Sequence, residues 1–279
     1  RSTTATRVNK DGFIEEVAAN VPRLDYSDGT CPSLLLEGTA TNLITYSEDF
    51  SQWSASNLTV IDNNTISPSG NLNASKLTES TSTSNHQIAG NSMSTVNGLT
   101  YTVSVFLKNN GADNVSITAG NFADLEINST FDLVNGLSIS DAGSSSINKI
   151  GDYYLCTVTG YSNATRNQSM IVALNKNNLS YPFSYAGDGA SGVFIWGAQF
   201  EENSYSTSYI KTIGSAQTRV ADNCSLTAPS GITGQTEGTL FIHLKDLKFN
   251  ILGTNLSTII LDAGDYFTNS IGFASELNG

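Results

Sequence analysis

Histidine, cysteine and charged residues are all scarce in this chain. Its 279 residues include only two histidines and three cysteines, and 14% of the residues are charged. The cysteines, Cys31, Cys156 and Cys224, are odd in number and widely spaced, and no Cys-x-x-Cys or His-x-x-x-His pair accompanies them. This pattern excludes a full disulfide framework and matches no zinc site. We expect free, buried thiols, because unpaired cysteine is among the most buried residue types, with a single disulfide bridge as the alternative.

Long apolar runs and an excess of positive charge are also missing. No segment approaches the roughly 18 apolar residues of a membrane-spanning helix, and residues 1–6 carry no apolar stretch of signal-peptide length. The 13 basic and 25 acidic side chains give a formal net charge of −12. An acidic surface repels phosphate backbones. We therefore expect neither membrane insertion nor a nucleic-acid partner.

Serine, threonine, asparagine and glycine carry the polarity of the sequence, which is typical of β-rich and loop-rich proteins. Short strand candidates separated by turn residues follow each other from about residue 42 to residue 222. Alternation is clearest over residues 101–108, where Tyr101, Val103 and Val105 share one face of a strand. The sequence therefore predicts an all-β fold, an antiparallel jelly-roll β-sandwich without long helices.

The most distinctive segment is the almost wholly apolar run 193–200, which ends at Glu201-Glu202 and leads into a small, polar tail. A second block lies near the start, at residues 19–26, 34–37 and 41–53. Together the two blocks resemble the jelly-roll domain of bacteriophage tail and tail-fibre proteins. That resemblance implies an N-terminal arm packed along the sandwich or a neighbouring subunit. That family more often has an arginine before Thr-Asn-Leu, but residues 38–41 of this chain are Gly-Thr-Ala-Thr. The resemblance therefore does not support an ion pair at this position.

The order of motifs also resembles jelly-roll carbohydrate-binding modules. The shared features are an opening Asn-Leu, Asp-Phe and Trp segment, a central Gly-x-x-Tyr-Thr-x-Ser strand at residues 98–104, and the apolar closing strand. Many such modules hold a structural calcium ion, partly through aspartates on the closing strand. Here Trp196-Gly197 stands where those carboxylates would lie. We expect no cofactor, and a structural calcium ion has no clear motif in support.

Changes in composition and in strand pattern along the sequence divide the chain into four parts. Residues 1–41 form the arm and residues 42–222 the jelly-roll domain. Residues 223–236 are rich in turn residues and are typical of a linker. Residues 237–279 then resemble the opening strands of a concanavalin A-like, laminin-G-type sandwich, with strand candidates at 258–262 and 270–274. About forty residues cannot close such a sandwich alone, so we expect this second domain to be incomplete.

Catalytic residues are hard to find in the sequence. A nucleophilic triad needs a histidine beside Ser or Cys, but His86 lies in a polar run and His243 inside a strand, without mechanistic neighbours. Both are expected to be ordinary surface or strand histidines. A glycosidase could use two carboxylates alone, and the sequence cannot set the separations of the candidates Glu37, Glu48, Asp49, Glu201 and Glu202. We predict that the chain is not an enzyme.

Aromatic side chains in loop-like segments favour sugar binding instead, because pyranose rings stack their apolar faces on exposed aromatic rings. Tyr181, Phe183 and Tyr185 lie beside Asp188 in a segment with a proline and glycines, and they are the predicted glycan-binding residues. A second aromatic cluster comprises Tyr153, Tyr154 and Tyr161. Trp53 and Trp196 fall in strongly apolar segments, so we expect them in the core.

Together with these features, the resemblance to phage tail proteins implies a non-enzymatic component of a phage tail or tail fibre, located in the virion and acting outside the cell at the host surface. Its expected partners are other virion tail proteins and a bacterial surface polysaccharide. Tail fibres are usually trimers, so the resemblance implies a homo-oligomer. Two alternatives stay open: the binding portion of a polysaccharide depolymerase, and a decoration domain with a purely structural role.

Overall fold

The structure, a computed structural model, describes residues 1–119, 127–176, 184–224, 259–262 and 270–273. The chain separates into two compact units, Arg1–Ser225 and Leu226–Gly279. In the second unit the two strands predicted near residues 260 and 272 are present, and they pair antiparallel. Most of the predicted linker, and the predicted strand that begins at residue 237, lie outside the described residues.

The described residues form 24 strands and one short 3-10 helix, Phe50–Gln52. The first eleven strands are β1 (Ala5–Val8), β2 (Ile14–Val17), β3 (Leu24–Asp25), β4 (Ser33–Leu34), β5 (Ala40–Asn42), β6 (Ser54–Ser56), β7 (Leu58–Ile66), β8 (Leu72–Glu79), β9 (Thr83–Ser84), β10 (His86–Ala89) and β11 (Met93–Thr95). The others are β12 (Thr100–Asn110), β13 (Asn114–Ala119), β14 (Asn128–Asp132), β15 (Leu137–Ala142), β16 (Ser144–Ile150), β17 (Tyr153–Tyr161), β18 (Arg166–Gln168), β19 (Met170–Asn175), β20 (Tyr185–Ala186), β21 (Gly192–Glu201), β22 (Gln217–Arg219), β23 (Ile259–Asp262) and β24 (Ser270–Phe273). Within this part of the chain no helix has the length and apolar character needed to cross a membrane.

Two six-stranded antiparallel sheets enclose the main core of the first unit. Sheet I has the strand order β15-β14-β13-β19-β10-β6, and sheet II has the order β16-β17-β12-β21-β8-β7. Val115 and Ile117 point into the core from sheet I, and Val103 and Val105 point into it from sheet II. The alternation that the sequence shows in β12 therefore separates the core face of sheet II from its outer face. The predicted all-β jelly-roll sandwich is confirmed.

A β-bulge at Gly197 decides which side chains of β21 enter the core. The register between β12 and β21 shifts at this point, so β21 carries one extra residue. Gly197 has φ +64°, a left-handed conformation that glycine adopts at little steric cost. Beyond the bulge, Phe200 lies in the core, whereas Gln199 bonds the following segment through the Ile210 N–H at 2.5 Å. If β21 instead continued in regular alternation through Gly197, the polar Gln199 would face the core.

A second apolar cluster covers the outer face of sheet II. Ile14 from the β1–β2 hairpin and Tyr209 from residues 203–222, hereafter the tail, pack there with Phe106 and Trp196. The rings of Trp196 and Tyr209 are 4.5 Å apart between centroids. The prediction that Trp196 lies in a core is confirmed, and the same holds for Trp53 in the main core.

Buried ion pairs join the arm to the tail, in a set of residues that we call the arm–tail network: Arg1, Arg23, Glu37, Arg219 and Asp222. Arg23 and Arg219 are each 1% exposed. Arg23 donates to Glu37 at 2.7 Å and also to Asp222, and Arg1 donates to Asp222 at 3.2 Å. The Arg219 guanidinium lies 3.4 Å from the Glu37 carboxylate. Because buried charges are costly unless they are paired, each member of the network depends on the others.

The prediction of buried thiols is right for one cysteine and wrong for two. Cys156 lies in the main core, and burial raises the pKa of its thiol well above the ordinary value. Cys31 and Cys224 are exposed, and all three thiols are free. Cys31 lies in the turn between β3 and β4, and Cys224 lies two residues after Asp222. Neither cysteine lies in a strand of the two six-stranded sheets, so neither side chain enters the main core.

Candidate functional site

A polar groove of about 370 Å³ opens at the β7 edge of sheet II. Three segments that are distant in the sequence form it: the stretch before the 3-10 helix, strands β7 and β8, and the tail. The residues that line it are Tyr46, Glu48, Asp49, Ser51, Asp62, Asn63, Asn73, Lys211, Thr212 and Ile213. The volume falls within the range of roughly 300–1,000 Å³ that is typical of small-molecule sites.

An irregularity in β7 shapes one wall of the groove. The register between β7 and β8 shifts between Ile61 and Thr65, and Asn63 takes a left-handed φ of +51°. Asparagine tolerates this conformation better than most residues. Asp62 is held at the same point, because its Oδ1 accepts a hydrogen bond of 2.5 Å from the Ser75 hydroxyl. The bulge thus places a carboxylate and an amide beside each other at the sheet edge.

Glu48 organises the opposite wall. Its Oε1 accepts from the Tyr209 hydroxyl at 3.0 Å, and its Oε2 accepts from the Asn73 amide at 3.0 Å and the Lys211 ammonium at 2.8 Å. The Glu48 side chain is 14% exposed, while that of Lys211 is 47% exposed. Glu48 is therefore a structural anchor that orients an amide and an ammonium group, both of which retain further N–H donors.

Other groove residues are open to solvent or lack a partner. Asp49 is exposed and accepts one hydrogen bond of 2.6 Å from the Ser51 hydroxyl. Ile213 is 74% exposed and pairs by an isolated bridge with Tyr46, whose ring is half-buried. The Thr212 hydroxyl is buried and has no hydrogen-bond partner within the described residues. The groove thus combines hydrogen-bonding groups of both signs with a small apolar surface.

Of the predicted glycan-binding residues, Tyr185 and Asp188 lie away from the groove, at the opposite end of β8. Tyr181 and Phe183 fall outside the described residues. The Tyr185 hydroxyl donates to the buried Glu79 carboxylate at 2.5 Å. The Tyr185 ring lies 4.7 Å from the His86 ring between centroids, and the Lys176 ammonium is 5.2 Å from its centroid. Burial is the main cause that raises the pKa of Tyr185, and the hydrogen bond to the Glu79 carboxylate raises it further. The hydroxyl therefore stays protonated and acts as a donor.

Asp188 stabilises the turn before β21. Its Oδ1 accepts from the N–H groups of Ala190 at 2.8 Å and Ser191 at 2.7 Å, and its Oδ2 accepts from the Ser191 hydroxyl. These hydrogen bonds hold the pKa of Asp188 well below its usual range, and the bond from the Ser191 hydroxyl has the largest effect. The structure therefore brings Tyr185 and Asp188 together around Glu79 and Lys176, with their polar groups already bonded within the protein.

The second aromatic cluster of the sequence is divided between core and surface. Tyr153 is buried in the cluster on the outer face of sheet II, and its hydroxyl donates to the Ile66 carbonyl at 2.9 Å. Tyr154 packs against the main core, whereas Tyr161 is 47% exposed at the end of β17. The three rings do not form one surface.

The candidate carboxylate with a raised pKa lies outside the groove. Burial raises the pKa of Glu201 to about 7, although hydrogen bonds from the Thr207 hydroxyl and N–H act to lower it. Glu201 is 1% exposed and is not a lining residue of the groove. Burial alone would raise the pKa of Glu37, but Arg219, Ser208 and Arg23 hold it below the ordinary value. Of the five candidate carboxylates, Glu48 and Asp49 alone line the groove.

His86 is a fully buried strand residue. Its Nδ1 lies 2.9 Å from the Asn57 carbonyl oxygen, and its Nε2 lies 3.3 Å from the Tyr185 carbonyl oxygen. Both ring nitrogens therefore face backbone acceptors rather than a nucleophile. This confirms the expectation of an ordinary strand histidine, while His243 lies outside the described residues.

Metal ligands are not gathered in the described part of the chain. No group of three or more His, Cys, Asp or Glu residues there is placed to hold an ion. At the position where the resembling modules carry calcium ligands, Trp196 packs into the cluster on sheet II.

Similarity to known proteins was found among solved structures. No protein-family model matches the chain, and no curated protein matches it. Among solved structures, the chain is similar to TmCBM27, a carbohydrate-binding module studied for its specific recognition of mannan. The match covers 60% of this chain and 97% of the module, at 8% identity and a TM-score of 0.28. Similarity at this level carries no inference, so the fold stands on the pairing of the chain's own strands.

Proposed function

We propose that this protein is a non-enzymatic glycan-binding component of a phage tail or tail fibre, and that the groove holds part of a bacterial surface polysaccharide. The observation that carries the proposal is the composition of the groove. Amide, ammonium, hydroxyl and carboxylate groups surround an opening whose rim includes Tyr46 and the exposed Ile213. Sugars present the matching combination, with hydroxyl groups that both donate and accept and with apolar C–H faces.

Preorganisation of the groove supports the proposal. Asn73 and Lys211 are held by Glu48, and Asp62 is held by Ser75, before any ligand arrives. Side chains that are already fixed lose little conformational entropy on binding, so weak hydrogen bonds to sugar hydroxyls yield a larger net affinity. The sequence-predicted residues Tyr181, Phe183, Tyr185 and Asp188 remain the second proposed glycan surface.

The phage assignment rests on the sequence resemblance of the arm and of the closing strand. A tail component acts in several copies, and we propose a homo-oligomer, a trimer by resemblance, that joins other tail proteins in the virion. Weak single sites suffice in such an assembly, because simultaneous binding raises the overall avidity by roughly 10²–10⁴. The host surface, outside the cell, is the proposed place of action.

A polysaccharide panel tests the binding proposal. We expect immobilised wild-type chain to retain at least one bacterial surface polysaccharide, and Tyr46→Ala to reduce retention about tenfold or more by removing the aromatic surface. Tyr46→Phe, which keeps the ring, is expected to retain most of the binding. Tyr185→Ala serves as the comparison for the second surface.

The outcomes separate the alternatives. Loss of retention in Tyr185→Ala with full retention in Tyr46→Ala would move the site to the second surface. No retained polysaccharide would contradict the glycan-binding function and favour a purely structural role. New reducing ends or unsaturated sugars after incubation would show a depolymerase, contrary to the proposal.

A further inference from the structure

We propose that the groove selects sugar chains without anionic groups and excludes polysaccharides that carry uronate, sialate or sulfate. This inference rests on the glycan-binding function proposed above and adds the ligand class. It follows from the charges around the groove, from how each of them is paired, and from the charge of the whole chain.

Negative charge predominates in the groove. Three carboxylates, Glu48, Asp49 and Asp62, line it together with one ammonium group, that of Lys211. Lys211 is bonded at 2.8 Å to Glu48, so these two charges largely compensate each other. Asp49 and Asp62 are bonded to hydroxyl groups, which carry no charge. Within the described residues, no cation pairs with either of these two carboxylates.

The paired lysine still binds neutral ligands. An ammonium group has three donors, and the bond to Glu48 uses one of them. The remaining donors, with the Asn73 amide, can bond the oxygen atoms of sugar hydroxyls. The carboxylates of Asp49 and Asp62 can accept from sugar hydroxyl protons but not from an ionised carboxylate or sulfate, which has no proton to donate. Hydroxyl groups therefore match the groove on both counts.

The net negative charge of the whole chain also disfavours anionic polysaccharides. With a formal charge of −12, the protein repels a polyanion before contact. At about 0.1 M salt the Debye length is about 10 Å, so screening weakens this long-range term but acts less on charges a few ångströms apart in the groove. The short-range repulsion by Asp49 and Asp62 is therefore expected to persist at moderate salt.

Matched polymers test the inference in the full chain. A panel of neutral polysaccharides (dextran, mannan, galactan, xylan) and acidic ones (alginate, polygalacturonate, hyaluronan) is screened first. Each of mannan and galactan that binds is then oxidised at its primary hydroxyls, which introduces uronate groups on the same backbone. Dextran, whose 6-oxygens form the backbone linkages, and xylan, which has no primary hydroxyls, are sulfated instead. We expect binding to neutral members only and at least about a tenfold loss on oxidation or sulfation.

Variants assign the discrimination to the groove. The double variant Asp49→Asn with Asp62→Asn removes both unpaired negative charges, so the loss of binding on oxidation should shrink to less than about threefold. Each asparagine keeps an oxygen that accepts the hydrogen bond from Ser51 or Ser75, so the groove should keep its shape. Asp152→Asn removes one exposed charge outside the groove and should keep the wild-type discrimination. Binding to acidic polymers only, or equal binding of parent and oxidised forms, would overturn the inference and leave glycan binding intact. Binding to no polymer would overturn both.

Discussion

Arg23 donates a hydrogen bond to the carboxylate of Asp222, a residue 199 positions later in the chain. The same carboxylate accepts from Arg1 and from the N–H of Glu37 at 3.0 Å. Asp222 is therefore the point at which the arm and the tail meet. Arg23 is buried there with Arg219, and the nearest other anion is Glu37.

Removing Asp222 should destabilise the first unit strongly. In Asp222→Ala, the buried guanidinium groups of Arg23 and Arg219 share the Glu37 carboxylate, and the buried Arg1 side chain loses its carboxylate partner. We therefore expect the free energy of unfolding to fall by about 3–5 kcal/mol. Chemical denaturation measures the change. Asp152→Ala is the matched control, because Asp152 pairs with Lys108 at a side-chain exposure of 80% and its loss should cost less than about 1 kcal/mol. Equal effects of the two substitutions would contradict a stabilising role of the network.

Glu201 should make the stability fall as the pH rises from about 4.5 to 7. Its pKa in the folded chain is about 7, against 4.5 for an ordinary glutamate, so unfolding releases a proton in this interval. The shift corresponds to about 3 kcal/mol at pH values above 7, and below pH 4.5 this contribution vanishes because both states are protonated. Denaturation curves between pH 5 and 8 measure the slope.

Variants at the two adjacent glutamates isolate this effect. Glu201→Gln removes the titrating group and should flatten the slope between pH 5 and 7. Glu202→Gln changes an exposed neighbour and should keep the wild-type slope. A wild-type slope in Glu201→Gln would mean that another group causes the pH dependence.

Substitution of Gly197 should cost more than backbone strain alone. Gly197 and Gly151 both have positive φ, +64° and +58°. A Cβ added at Gly197 would lie 3.0 Å from the Phe106 ring, whereas a Cβ added at Gly151 would have no described atom of another segment within 4 Å. We expect Gly151→Ala to lower the free energy of unfolding by about 1–2 kcal/mol. Gly197→Ala should lower it by roughly 1 kcal/mol more, since the core must also shift. Thermal and chemical denaturation of the pair check this order.

Thiol reactivity should distinguish the cysteines. Cys31 and Cys224 are exposed and should react rapidly with a disulfide reagent, while the buried Cys156 should react only after unfolding, because its thiolate is suppressed. Counting the released chromophore before and after denaturant gives the number of each class. In the double variant Cys31→Ser with Cys224→Ser, rapid reaction should disappear. A fast phase that persists there would place Cys156 at the surface.

The fold follows from the sequence where alternation is regular. Tyr101, Val103 and Val105 alternate with polar residues, and the structure places all three in the main core. Phe106 breaks the alternation and packs in the cluster on the outer face of sheet II. The bulge at Gly197 was not predicted, because one extra residue changes the face of every later side chain without changing the composition of the strand. A glycine inside an apolar strand was the available signal.

The groove could not be predicted, because its walls come from residues near 48, 62 and 211, which only the folded sheets bring together. The run Asp62-Asn63-Asn64 interrupts the apolar pattern of β7 and was its one local sign. Aromatic residues in a loop-like segment drew attention to Tyr185 instead. In the folded chain, His86 and Glu79 engage that side chain, a contact that depends on three strands.

The contact between Arg1 and Asp222 places the two ends of the sandwich side by side. A pulling force applied at these two ends would therefore load the arm–tail network first and the strand ladders only after it had separated. Buried ion pairs at such a point act as the first mechanical barrier to extension. Protonation of Asp222 and Glu37, which requires a pH below their lowered pKa values, would weaken that barrier.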